Sequence, residues 1–271
     1  LGQCDFTREL LRFTGFHTPM GEVVITRARS DGFAQIAGPS TTVQMSSLIN
    51  MLHELGAAQV LVDGAAARKS TAAIASSEAC ILATGAAFSP DPDDIIEQTR
   101  HYTELLTLPE FEPDTVFALK NADASSCILL DQGRNICGRV SALSDECANL
   151  IAGRNGQPTT ALFNGAVTRP VLQRLLDKCR QLDWLQIVAE DGTRYLINSR
   201  QKLDLTSRGA RLAVRRQVNL IAVTVNPTAP SGLKLDSAEL CDRLSEKIGM
   251  PVFDVYTAQN HAFSRKATQY A

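Results

Sequence analysis

The stretch EACILATGAAFSPDPDDIIEQTRHYTELL, residues 78–106, decides the fold of this chain. Its first part is a short apolar run that ends in Thr84 and Gly85, which is typical of strands that a parallel sheet buries on both faces. Its second part starts with acidic residues and continues as a predicted helix, whose macrodipole favours negative charge at its start. A strand followed directly by a helix predicts a parallel α/β sheet.

The same alternation extends toward the N-terminus. MGEVVITRA (residues 20–28) is rich in β-branched residues and predicts a strand. TTVQMSSLINMLHEL (residues 41–55) has apolar residues at helical spacing, and Ser40 is its predicted N-cap. AAQVLVDGA (residues 57–65) predicts a second buried apolar strand.

The C-terminal part alternates in shorter units. Thr168 is placed to cap a helix with Pro170 in its first turn, and Asp236 or Ser237 to cap another. DWLQIVAEDGTRYLI predicts a hairpin-like pair of strands. Further strands are predicted in SCILLDQGRNICGRV, as two strands about a glycine turn, and in TTALF, VNLIAVTVNP and PVFDVY.

LTLPEFEPDT, residues 106–115, is the predicted domain boundary, because it combines two prolines with acidic residues. We therefore expect a first domain at residues 1–108 and a second at residues 114–271. Both are predicted to be α/β, with a mostly parallel sheet flanked by helices.

Composition excludes several classes of protein. The chain has 271 residues and a formal net charge of −2, so nothing suggests a nucleic-acid or membrane surface. A membrane-spanning helix needs about eighteen consecutive apolar residues, and every apolar run in this sequence is much shorter. The seven cysteines include no CxxC pair, which predicts free thiols, no zinc site and a cytoplasmic protein. The arginines at 208, 211, 215 and 216 predict a solvated face.

VLVDGAAARKST, residues 60–71, is the first candidate for chemistry. Asp63 and Gly64 follow an apolar run, and a carboxylate at a strand end is placed to orient Mg²⁺ beside phosphates. Arg68 and Lys69 are then candidate phosphate partners. The alternative is a tight turn in which Asp63 caps the next residues and both cations are solvated.

Other predicted strand ends offer weaker signals. Thr84 and Gly85 are candidate cofactor-binding residues, since glycine permits close approach of a ligand, but it equally permits close packing. Asn164 precedes a helix N-terminus that favours anions, although plain capping explains it as well. The four histidines lie in separate segments, and neither G-x-S-x-G nor H-E-x-x-H occurs.

The sequence lacks the strongest phosphate-binding motifs, G-x-x-x-x-G-K-[ST] and G-x-G-x-x-G. The first residues, LGQCDFTRELLRFTG, place Asp5 or Thr7 to cap a helix. Because they resemble the interior of a protein, we expect that the natural N-terminus precedes Leu1.

Three phrases together resemble one family: TGFHTPMGEVVITRARSDGFAQIAGPS, VLVDGAAARKSTAAIASSEACILATGAAFS and AVTVNPTAPSGLKLDSAEL. They are similar to the P-loop-type subunit of the lysine 5,6-aminomutase reactivase, across about residues 5–105 and 215–256. The resemblance implies a P-loop NTPase-like first domain whose phosphate loop would precede Leu1. Asp63 then resembles the acidic residue that faces that loop.

The resemblance also implies a function in amino-acid fermentation. A chaperone-like ATPase, using ATP and Mg²⁺, would open an adenosylcobalamin-dependent lysine or ornithine aminomutase so that damaged cobalamin leaves. Its partners would be that aminomutase and a second reactivase subunit.

Two other functions stay open from the residues themselves. One is a nucleotide-using α/β synthetase or transferase that acts on a small carboxylic or amino acid. The other is a non-catalytic ligand-binding or scaffold subunit.

Overall fold

The computed structural model describes residues 5–36, 38–39, 41–63, 77–111 and 125–256. The chain divides into two compact units, residues 1–78 and residues 79–271. The stretch predicted as a domain boundary, residues 106–115, therefore belongs to the second unit.

The described part of the first unit contains an antiparallel hairpin and one helix. The strands are β1 (Arg8–Thr18) and β2 (Gly21–Ala28), and the helix is α1 (Thr42–Glu54). The predicted helix near the N-terminus is wrong, because residues 8–18 pair with β2. The threonine and phenylalanine residues of this stretch favour a strand once a partner strand is present. Thr41 caps α1 by accepting a hydrogen bond from the backbone N–H of Gln44. Ser40, the predicted N-cap, lies outside the described residues.

The strand predicted at residues 57–65 does not form in the described part of that stretch. Val60, Leu61 and Val62 have irregular backbone. Leu61 is 84 % exposed. An apolar run alone does not make a strand, since its backbone groups need a partner strand and its side chains need a surface to pack against.

The second unit contains the remaining described elements. Its helices are α2 (Pro92–Leu106), α3 (Glu146–Ala152), α4 (Arg169–Lys178), α5 (Ser199–Ser207) and α6 (Ser237–Ile248). Its strands are β3 (Cys80–Gly85), β4 (Ser126–Leu130), β5 (Ile136–Ser141), β6 (Thr159–Phe163), β7 (Val167–Thr168), β8 (Leu185–Ala189), β9 (Tyr195–Leu196), β10 (Arg211–Val214), β11 (Leu220–Asn226) and β12 (Val252–Asp254).

A mixed five-stranded sheet has the order β10-β8-β6-β4-β5. The strands β6, β8 and β10 are parallel, with α4 and α5 as their connections, while β4 runs antiparallel to both of its neighbours. The predicted hairpin-like pair is wrong: β8 lies between β6 and β10, and β9 pairs with β7 in parallel. The predicted β4–β5 pair is confirmed, with Arg134 at a φ of 63° in its turn.

The second sheet of this unit has three parallel strands in the order β12-β11-β3. The helices α2 and α6 pack together and bury a common core with this sheet, which includes Ile95, Val223, Leu240 and Val252. Asp91 caps α2 and Asp236 caps α6, each with its side chain. The predicted α/β class, with parallel strands flanked by helices, is confirmed.

The central strands of the five-stranded sheet, β4, β6 and β8, are buried on both faces. Alternate residues of β4 enter different clusters, because successive side chains of a strand point to opposite faces. Cys127 and Leu129 pack into the larger cluster, whereas Ile128 and Leu130 pack into the smaller one. Tyr195 crosses this core, and its hydroxyl lies 2.8 Å from the carbonyl oxygen of Ile187 and 2.7 Å from that of Ala213.

Candidate functional site

The candidate site is the carboxyl edge of the three-stranded parallel sheet. Thr84 is paired with Val225, Gly85 with Asn226, and Val225 on its other side with Asp254. The residues Thr84, Gly85, Asn226 and Asp254 therefore lie side by side where their strands end. Open α/β sheets bind their ligands outside the carboxyl ends of the strands, so this edge has the position that such folds use for function.

Gly85 is held at this edge by close packing between two strands. Its φ angle is 146°, and a Cβ atom here would lie 2.0 Å from the carbonyl oxygen of Asn226. The same oxygen accepts a 2.9 Å hydrogen bond from the backbone N–H of Ala86. Of the two roles that the sequence left open for Gly85, the contacts of the described residues favour packing.

Thr84 connects its strand to a helix. Its hydroxyl accepts a 2.9 Å hydrogen bond from the hydroxyl of Thr99 in α2. Thr99 is itself buried. This bond between two side chains fixes the orientation of Thr84 at the end of β3.

Asn226 starts a tight loop that crosses the same edge. Its Oδ1 atom accepts a 2.9 Å hydrogen bond from the backbone N–H of Thr228, as in an Asx-turn. The loop is closed by a 2.8 Å bond from the N–H of Ala229 to the carbonyl of Leu233, and by a bridge between Thr228 and Lys234. The Asn226 side chain therefore shapes the loop that borders the site.

Asp254 is a residue of this edge that the sequence analysis missed. It is buried, with one carboxylate oxygen accepting a 2.7 Å hydrogen bond from the N–H of Tyr256 and the other accepting from the hydroxyl of Ser237. The bond from Ser237 joins the end of β12 to the first turn of α6. The signal was the acid directly after the apolar residues of PVFDVY, the same pattern that singled out Asp63.

Cys241 lies one turn after Ser237 on α6. Burial raises the pKa of the Cys241 thiol to about 11, the Ser237 side chain lowers it, and the charges of Asp254 and Asp242 raise it further. A thiol of this kind stays protonated at neutral pH, so Cys241 is not poised as a nucleophile.

The structure describes only part of the site predicted around VLVDGAAARKST. Asp63 is exposed and belongs to the first unit, whereas Thr84 and Gly85 belong to the second. Gly64, Arg68 and Lys69 lie outside the described residues. Thr84 and Gly85 of the predicted set belong to the edge described above.

The carboxyl ends of the parallel strands in the five-stranded sheet form another edge with polar residues. Asn164 follows β6 and donates a 3.2 Å hydrogen bond to the hydroxyl of Ser126. Thr168 is the N-cap residue of α4, but its side chain makes no capping hydrogen bond. Arg215 follows β10 and pairs with Glu190 at 2.6 Å. These contacts support structural roles at this edge.

The arginines at 208, 211, 215 and 216 were predicted to form a solvated face, but two of them bind other groups of the protein. Arg215 is engaged with Glu190. Arg208 donates to the carbonyl oxygens of Leu176 and Cys179, the latter at 2.7 Å. Arg208 thus supplies donors to carbonyl groups at the end of α4, which have no partner within the helix.

Asp191 was also missed, although it follows an apolar strand as Asp63 was expected to do. It is fully buried at the end of β8, and its Oδ1 atom accepts a 2.9 Å hydrogen bond from the backbone N–H of Thr193. Its Oδ2 atom has no hydrogen-bond partner among the described residues. Gly192 packs directly against the backbone of α2. A Cβ atom added at Gly192 would lie 2.1 Å from the carbonyl oxygen of Leu105.

The described acidic and metal-ligating side chains are not clustered. Within the described ranges, no group of three His, Cys, Asp or Glu side chains could hold a metal ion. At the edge of the three-stranded sheet, Asp254 is bonded to Tyr256 and Ser237, and Thr84 accepts from Thr99. A phosphate site requires N–H or cationic donors, and the side chains of Asp254 and Thr84 carry neither.

Comparison of the chain with protein-family models, with curated proteins and with solved structures returned no match.

No helix in the described part of the chain has the length and apolar character needed to cross a membrane.

Proposed function

We propose that this chain is part of a nucleotide-dependent reactivating factor for an adenosylcobalamin-dependent lysine or ornithine aminomutase, and that it promotes the release of damaged cobalamin. The observation that carries the proposal is the pairing of β3 with β11. These strands come from two of the three phrases that resemble the reactivase subunit. Although they are far apart in sequence, they are parallel neighbours, and their ends form one edge.

The position of this edge supports a ligand-responsive protein. In an open α/β sheet, loops at the carboxyl ends of parallel strands surround the ligand. Here that edge carries the loop that starts at Asn226 and lies beside Gly85. We infer that the nucleotide response involves this loop, with the phosphate-binding part supplied outside the described residues.

Reactivation requires a difference in binding free energy between two forms of the mutase. A factor that binds the open and the closed form equally well shifts nothing. To move the mutase from one per cent open to nearly fully open, the factor must bind the open form about 10⁴-fold more tightly. Damaged cobalamin then leaves because its protein ligands are held apart.

The decisive experiment uses the full-length protein and an aminomutase that has been inactivated with hydroxocobalamin. We expect ATP and Mg²⁺ to promote cobalamin release, followed by recovery of mutase activity when adenosylcobalamin is added. ATP turnover should rise when the mutase is present. Asn226→Ala should lower the rate of release about 3–10-fold, the value of one lost hydrogen bond.

Asn155→Ala is the matched control, because Asn155 is an exposed asparagine in a loop of the same unit. It should leave release unchanged. ATP turnover that ignores the mutase but rises with a small amino or carboxylic acid would instead indicate a synthetase or transferase. The absence of any thermal shift with ATP and Mg²⁺ in the full-length protein would indicate a non-catalytic subunit.

A further inference from the structure

Three buried side-chain atoms on α2 and on the neighbouring segment of residues 191–201 have no hydrogen-bond partner in the described part of the chain. They are Nδ1 of His101, Oδ2 of Asp191 and Oε1 of Gln201. The exposed fractions of these residues are 2 %, 0 % and 7 %. Polar atoms that folding removes from water are nearly always hydrogen-bonded, so each of the three atoms calls for a partner.

All three atoms are hydrogen-bond acceptors. Nε2 of His101 lies 2.9 Å from the carbonyl oxygen of Ile197, which can only accept, so Nε2 carries the hydrogen and Nδ1 keeps its lone pair. Nε2 of Gln201 donates at 3.2 Å to the carbonyl oxygen of Arg169, which leaves Oε1 as the acceptor. Oδ2 of Asp191 is a carboxylate oxygen and also accepts. Each atom therefore requires a donor.

The loop around Asp191 directs its own donors to the other carboxylate oxygen. Oδ1 accepts from the backbone N–H of Thr193 at 2.9 Å and also from the Thr193 hydroxyl. The next residue, Gly192, packs against the backbone of Leu105 near the end of α2. The last carbonyl groups of a helix are themselves acceptors, so they offer no donor to Oδ2.

We propose that buried water molecules are bound at these three acceptors, with Oδ2 of Asp191 as the principal site. A water molecule supplies two donors in a small volume, and buried waters typically bind polar groups that have no protein partner. Because Asp191 has no exposed surface, a larger ligand cannot reach Oδ2 while the loop is folded. Size and hydrogen-bonding chemistry thus select water.

A metal cation is the competing occupant at a carboxylate. Mg²⁺ and Ca²⁺ take six or more oxygen ligands, which proteins supply largely from carboxylates, carbonyl groups and water. Across the described ranges, no group of three His, Cys, Asp or Glu side chains could hold a metal ion. The same need for a donor recurs at an imidazole nitrogen and an amide oxygen, which favours a neutral donor over a cation.

The waters complete the polar contacts of a segment that direct bonds already hold. His101 bonds to Ile197, and Lys202 of α5 forms an ion pair with Glu104 of α2. Asp191 follows β8 at the carboxyl edge of the five-stranded sheet. Its bound water therefore belongs to the packing that fixes the loop at that edge.

The test is a crystal structure of the unsubstituted protein at a resolution that shows ordered water, with a second crystal soaked in rubidium chloride. We expect a water oxygen within about 3.2 Å of Oδ2 of Asp191, and likewise at Nδ1 of His101 and Oε1 of Gln201. Rubidium scatters anomalously and reports a site for a monovalent cation. We expect no anomalous peak at any of the three atoms.

Asp191→Asn distinguishes water from a cation in a second way. With the amide oxygen accepting from Thr193, an NH₂ group takes the place of Oδ2. Water can accept from that group instead of donating, so its density should remain, whereas a cation would be lost. Asp183→Asn, at an exposed aspartate of the same unit, is the matched control and should leave the water in place.

Because Asp191 is buried and its variant can impair folding, the crystals of the unsubstituted protein decide the question. A protein donor bonded to Oδ2, an anomalous rubidium peak there, or a map without density within hydrogen-bonding distance of Oδ2 would overturn the proposal. The same three results at His101 or Gln201 would overturn it for that atom.

Discussion

Replacing Gly85 by alanine tests the packing of β3 against β11 directly. At a φ of 146°, an alanine carries backbone strain of about 1–3 kcal/mol. Its Cβ atom would also lie 2.0 Å from the carbonyl oxygen of Asn226 and 2.7 Å from the carbonyl carbon. Because backbone atoms of a paired strand cannot rotate away, the overpacking should add about 1–3 kcal/mol. We expect a total loss of about 2–6 kcal/mol of the free energy of unfolding.

Two further glycines separate the two contributions. Gly156 has a φ of 77° and nothing within 4 Å of an added Cβ, so Gly156→Ala should cost only backbone strain, about 1–2 kcal/mol. In Gly192→Ala, the Cβ atom would lie 2.1 Å from the carbonyl oxygen of Leu105, but the φ angle is outside the left-handed region. That variant should cost about 1–3 kcal/mol from overpacking alone.

The assay is urea unfolding of all three variants, with circular dichroism as the signal that reports unfolding. The expected order of destabilisation is Gly85→Ala, then Gly192→Ala, then Gly156→Ala. The slope of the unfolding free energy with urea must stay constant for this comparison, because a changed slope indicates a changed denatured or native state. A Gly85→Ala variant as stable as Gly156→Ala would refute the strand-to-strand contact at Asn226.

Three other predictions follow from single residues. Burial lowers the pKa of His101 below its ordinary value of 6.5, so the folded state disfavours the protonated form. The free energy of unfolding should therefore fall as the pH drops below about 6.5. In thermal melts, His101→Gln should flatten this pH dependence, whereas the control His53→Gln, at an exposed position, should leave it unchanged. Arg208→Ala should cost about 1–3 kcal/mol in urea unfolding, because buried carbonyl groups at the end of α4 lose their donor; a cost near zero would contradict this capping role. In the full-length protein, Asp63→Asn should weaken Mg²⁺-dependent nucleotide binding, measured by calorimetry, while Asp31→Asn should not; equal binding by both variants would remove Asp63 from the site.

Local sequence signals located most elements of the second unit. The acidic start of α2 and the capping pattern before α6 predicted both helices, and Asp91 and Asp236 cap them. The apolar strands of residues 80–85 and 220–226 were also predicted. These signals succeed because caps, helical spacing and β-branched runs act within a few residues of each other.

The candidate site was predicted only in part. Thr84 and Gly85 were identified because they end an apolar strand. Asp254 and Asp191 have the same pattern, but only the fold reveals that both carboxylates are buried and that Asp254 stands beside Asn226. The apolar run that ends at Asp63 also predicted a strand, yet Val60 to Val62 form no strand in the described residues.

By itself, the sequence determined that this protein is α/β, where most of its helices begin, and which apolar runs are strands in its second unit. Only the tertiary structure decided that those strands lie in separate sheets, that β3 and β11 are neighbours, and that β4 is antiparallel to its neighbours. The physical reason is that helix signals depend on residues one turn apart, whereas strand partners and buried contacts depend on residues that are distant along the chain.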